Sequence, residues 1–132
     1  MSGRSSECVA VVNTGFRSPR PDIIVPPSVA RTLGIYPPPE DALEVEADTG
    51  GGPVIVYLIP EILEVKVLAG DRESKTIVCN AVVNPLESEV LISDKLTEEL
   101  GVQILYPSRG IWRFADDPPG VERRSVARNS FG

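Results

Sequence analysis

Apolar positions in this chain fall mostly in short unbroken or alternating runs, which is the signature of strands. "ECVAVVN" (7–13) is a continuous, β-branched run and predicts a fully buried strand. "DIIVP" (22–26) predicts a second short strand. "ALEVEADTGGGPVIVYLI" (42–59) alternates Leu43, Val45 and Ala47 inward with Glu44 and Glu46 outward. It predicts a hairpin whose turn falls in Asp48-Thr49-Gly50-Gly51-Gly52. "ILEVKVLAG" (62–70) and "SKTIVCNAVVN" (74–84) predict another strand pair, and "SEVLI" (88–92) a short strand. "VQILY" and "IWRF" flank a turn at Pro107-Ser108-Arg109-Gly110.

Helical spacing occurs in two places. "PPSVARTLG" (26–34) opens on prolines and closes on Gly34, while "SDKLTEELG" (93–101) has Ser93 as N-cap and Gly101 beyond its end. Val29, Leu33, Leu96 and Leu100 are the expected core positions of these helices. From Asp116 onward the pattern is lost, so a domain over 1–115 and a flexible tail over 116–132 are expected.

Composition agrees with a mainly β fold. Thirteen prolines in 132 residues suit turns better than helix interiors, where proline removes a donor. No apolar run approaches the roughly 20 residues of a membrane span. "MSGRSSE" lacks a charged-then-apolar leader pattern, so a cytoplasmic location is expected, with no membrane partner. Nineteen acidic against thirteen basic residues give a net charge of -6, which disfavours nucleic acid as a partner. Arg123, Arg124 and Arg128 are expected to solvate the tail, and Asp116 and Asp117 to form a solvated strand exit. There is no histidine, which removes Ser-His and Cys-His nucleophiles. Cys8 and Cys79 alone cannot make a four-ligand zinc site and are expected as thiols buried on strands, with a Cys8–Cys79 disulfide as the alternative. No metal or other cofactor is implied.

The chain also repeats itself. "CVAVVN" (8–13) recurs as "CNAVVN" (79–84), 71 residues later. Each copy is followed by an irregular loop, a short apolar strand, a short helix and then "LGI" or "LGV". Two equivalent half-units related by an internal pseudo-twofold are expected.

A strand running into Val11-Val12-Asn13-Thr14-Gly15-Phe16, then a loop, a strand, a helix, a hairpin and a quasi-repeat, resembles the retropepsin-like aspartic proteases. The likeness is to their small single-domain archaeal and bacterial members and covers roughly residues 7 to 114. It implies a closed β-barrel with a flap hairpin and two short helices. It departs from the family twice: Asn13 stands where the catalytic aspartate belongs, and Ser93 in Leu91-Ile92-Ser93 where a glycine is usual. The literal Asp48-Thr49-Gly50 follows a half-exposed hairpin arm and is read as turn chemistry. The resemblance makes it, with Gly51 and Gly52, part of the flap.

The resemblance also implies a homodimer meeting at the Asn13-Thr14-Gly15 turn, with Thr14 bonding across the axis, Gly15 allowing the turn and Phe16 at the cleft floor. The family's two aspartates share a proton and activate water, because adjacent like charges split their pKa values. Asparagine has no ionisable group and cannot act as the general base. The leading expectation is therefore a silent protease-like dimer binding a peptide or protein segment. An acid peptidase acting through another aspartate, Asp48 being the candidate, is the second. A small β-barrel adaptor or complex subunit is the third.

Overall fold

A computed structural model describes residues 4–12, 18–49 and 52–126, with the backbone alone described at 47–49. The strands are β1 (Ala10–Val12), β2 (Asp22–Val25), β3 (Leu43–Thr49), β4 (Gly52–Val65), β5 (Ile77–Val83), β6 (Val90–Ile92), β7 (Val102–Tyr106), β8 (Ile111–Phe114) and β9 (Arg123–Arg124). Helix α1 (Pro27–Thr32) follows β2, and α2 (Asp94–Glu99) follows β6. The protein is thus mainly β with two short helices. No described helix is long and apolar enough to cross a membrane.

The strands form a six-stranded sheet in the order β1-β6-β2-β5-β4-β3 and a three-stranded sheet β7-β8-β9. The expected closed barrel does not form among the described residues. β1 pairs only with β6 and β3 only with β4, so both edges of the large sheet stay open. For the same reason β1 is shorter and less buried than its apolar run suggests. Ala10 is exposed and Val11 and Val12 are half-buried. Leu43 and Val45, expected inward, are 53% and 41% exposed on edge strand β3.

The repeat is visible as register. In the parallel pair β1–β6, Val11 faces Leu91; in the parallel pair β2–β5, Ile24 faces Val82. A step of 71 residues carries Val11 to Val82 and a step of 67 carries Ile24 to Leu91, so each pairing maps onto the other. Ile24 and Leu91 themselves pair in the antiparallel β2–β6 contact. The 67-residue step also superimposes the helices. N-caps Pro26 and Ser93 share ψ 162°, and the glycines that end them, Gly34 and Gly101, have φ 77° and 79°. A positive φ of this kind is cheap for glycine alone.

One face of the large sheet carries the core. Ile23, Val25, Ala81, Val83, Val90 and Ile92 pack there with Ala30 of α1 and Leu96 and Leu100 of α2. β4 runs unbroken over 14 residues, where the sequence suggested two strands. Its bend is a bulge between Ile59 and Leu63, with Glu61 at φ 48° and the Glu61 N–H donating to Asn80 Oδ1 at 2.9 Å.

The segment after Asp116 is also more ordered than expected. Arg123 and Arg124 pair with β8 as β9, and Asp117 is 6% exposed. The Arg123 guanidinium bonded to Asp117 holds that carboxyl well below the usual carboxylate range, and the Phe114 N–H at 2.8 Å adds to the effect. Asp117 is therefore a buried anchor where a solvated strand exit was expected. Arg123 is its partner, whereas it was expected to solvate the tail. Residues 127–132, including Arg128, lie outside the described residues.

Candidate functional site

β2, β5 and β6 are apolar on both faces, and only one face meets the helices. On that side the register runs Val12–Ile92–Ile23–Ala81–Ile59, and from Ile92 to Ile59 every member is buried. On the other side it runs Val11–Leu91–Ile24–Val82–Leu58–Leu43, crossing all six strands. Every member of this second row is apolar. The first five are half-buried and Leu43 is exposed. Val45, exposed, extends the patch along the hairpin, while its partner Val56 is buried. With strands about 4.8 Å apart, six side chains in register make an apolar track of roughly 24 Å. An extended peptide covers that length in about seven residues.

Sequence reasoning missed Val11, Ile24, Leu58, Val82 and Leu91 as a surface. The signal was present, since uninterrupted apolar runs put apolar side chains on both faces of a strand. Such runs are ordinarily read as burial on both sides.

The track ends at β1, and Asn13, Thr14, Gly15 and Phe16 lie outside the described residues, as do Gly50 and Gly51. A polar base is built around Asp22. Ser18 Oγ donates to Asp22 Oδ2 at 2.5 Å, and Asn80 Nδ2 donates to Asp22 Oδ1 at 2.8 Å. The Ser18 N–H donates to Asp94 Oδ1 at 3.1 Å. Asn80 thus serves two elements, with its amide nitrogen on Asp22 and its oxygen on the β4 bulge. The Cys79 thiol next to it is pushed up to about 12, by burial first and then by the negative charge of Asp22.

Ser93 closes the base. It is fully buried, and its Oγ accepts from the Leu96 N–H, capping α2, and from the Asp22 N–H, both at 3.1 Å. The Ser93 N–H in turn donates to the Asp22 carbonyl at 3.0 Å. The Ser93 hydroxyl therefore ties the start of α2 to the first residue of β2.

The hairpin differs from expectation at its tip. Asp48 faces Pro53 and Thr49 faces Gly52 within the β3–β4 ladder, so Asp48 and Thr49 are strand residues and Gly52, at φ 108°, opens β4. The turn itself is shorter than the sequence suggested, because the ladder continues to Thr49. Cys8 is exposed, against the expectation that both thiols are buried, since it precedes an edge strand; Cys79 is buried and both thiols are free.

Comparison with family models, with curated proteins and with solved structures finds no match to this chain.

Proposed function

We propose that this chain is a catalytically silent relative of the retropepsin-like aspartic proteases, a homodimer that holds an extended apolar peptide segment. The observation that carries the reading is the track Val11–Leu91–Ile24–Val82–Leu58–Leu43, which ends two residues before Asn13. Three features support it. The paired registers of the two halves are related by an approximate twofold about Ile24 and Leu91. The β3–β4 hairpin carries an exposed apolar arm at one end of the track, as a flap would. The Asp22–Ser18–Asn80–Ser93 base begins five residues after Asn13 in the chain.

The chemistry of position 13 sets the silence. Water activation by a carboxylate pair needs one group that takes a proton and one that gives it. Two asparagine amides do neither, but can pair with each other, donor to acceptor, without the repulsion of two carboxylates. Asp48 does not supply a substitute, because it sits within the hairpin ladder opposite Pro53.

The test is cleavage of casein and of peptide pools from acid to neutral pH by the native protein and by Asn13→Asp, with intact mass checked for deamidation. Silence in the native protein and pepstatin-sensitive cleavage in the variant is the expected pair of results. Cleavage by native protein whose Asn13 is intact refutes the reading. Silence in both, together with no binding of a seven-residue apolar peptide, favours the adaptor reading.

A further inference from the structure

The three-stranded sheet meets the main core through Val102 of β7, while β8 packs apart from it. Ile111 and Phe114 are buried at 6% and 1% exposure, yet neither belongs to the apolar cluster that unites the large sheet with its helices. Phe114 is covered by charge and by one aromatic neighbour. The Arg72 guanidinium lies 4.3 Å from its ring centre, that of Arg123 lies 5.1 Å away, and Trp112 meets it edge-on at 5.0 Å. Both cations are held by the same carboxylate. Asp117 accepts from Arg123 Nε at 2.9 Å and from Arg72 Nη1 at 3.2 Å, with its side chain 2% exposed. Arg72 also reaches Asp116, and Arg123 reaches Asp71.

The two sides of this cluster belong to different parts of the chain. Asp71 and Arg72 lie in the loop between β4 and β5, whereas Asp117 lies on the segment that leads to β9 and Arg123 opens β9. β9 itself pairs with β8 over only two residues. A two-residue ladder gives little stability by itself.

We infer that residues 115–125 form a strap that opens separately from β8 and from the six-stranded sheet, closed by the clamp of Asp117 between Arg72 and Arg123. When the strap opens, β9 leaves β8, and the Phe114 ring and the edge of β8 at Ile111 and Trp112 are uncovered. The large sheet keeps its own apolar cluster and stays folded. Local opening of this kind is set by few apolar contacts and many dispensable polar ones.

Amide hydrogen exchange by mass spectrometry on the full chain tests this. In Asp117→Asn, exchange across 115–125 should rise at least tenfold while β2 and β5 keep their native rates. A rise shared equally by both sheets would show a global loss of stability and overturn the strap; unchanged exchange at 115–125 would overturn the clamp. Asp71→Asn removes only the exposed Arg123 partner and keeps the buried triad. It should raise exchange in the same segment by a smaller factor, and a rise centred elsewhere counts against the inference.

Discussion

Replacing Ser93 by alanine removes one oxygen that serves two donors, and the cost can be worked from the structure. The N-cap bond to the Leu96 N–H is buried, and losing such a cap costs about 1 kcal/mol, up to about 2. The Asp22 N–H loses its acceptor as well. Its site is part-buried, so the penalty lies near the lower end of the ~1–3 kcal/mol range for an orphaned donor. Together these give about 2–3 kcal/mol, a large share of the ~5–15 kcal/mol that holds a domain folded. At roughly 3–4 °C per kcal/mol for a chain of this size, the melting temperature should fall by about 6–12 °C. Ser93→Gly separates the two contributions, because glycine at an N-cap loses only a few tenths of a kcal/mol. It should cost about 1 kcal/mol, mostly from Asp22. Urea midpoints at constant slope are the measurement. A loss below about 0.5 kcal/mol for Ser93→Ala would refute the reasoning.

Two further outcomes follow from the site. Val82→Glu puts a charge on the half-buried outer face of β5, so apolar peptide binding measured by fluorescence anisotropy should be lost, while far-UV dichroism stays native. Retained affinity would remove the track from the site. Native protein should titrate one thiol promptly with a disulfide reagent, Cys8, and a second only in denaturant, because Cys79 is buried and its thiol is pushed up to about 12. As a folded-state pKa raised above the ordinary ~8.5, the Cys79 contribution is complete below that pH and is lost as pH rises towards 12. Urea midpoints should therefore decline above about pH 8.5, and Cys79→Ala should remove that part of the decline.

What the sequence made legible was local. Pro27 at the first position of α1, the Ser93 cap of α2, and Gly34 and Gly101 at the helix ends all stand in the structure where their short-range chemistry puts them. What it hid was long-range. An apolar run such as residues 8–12 says that both faces are apolar, but not that the strand lies at a sheet edge with one face open. The continuity of β4 through Pro60 and Glu61 depends on Asn80, 19 residues away from Glu61, whose side chain satisfies the bulge. The order of 116–125 depends on Asp71 and Arg72, at least 44 residues earlier than their acidic and basic partners. Without that loop, "DDPPGVERRS" has no apolar pattern to recommend it.

The two half-units share a register but not a neighbourhood, and the difference bears on where function could lie. β5 is flanked by β2 on one side and β4 on the other, whereas its counterpart β1 has β6 alone. The turn after β5 is short and satisfies itself. The Asn84 N–H donates to the Val25 carbonyl, and Asn84 Oδ1 accepts from the Leu86 N–H at 3.0 Å. The stretch after β1 is longer by the difference between the 71- and 67-residue steps, and it returns through Ser18 and Asp22 onto a polar base. One copy of the repeat is thus closed into the core, and among the described residues the other lies at a sheet edge. Under the proposed reading, this asymmetry concentrates the binding surface on the first half. It also separates binding from chemistry. The track, the base and the hairpin involve none of the groups that an aspartate at position 13 would titrate. On that reading, asparagine in place of an aspartate at position 13 would remove hydrolysis and the repulsion of paired carboxylates and would leave the apolar track unchanged.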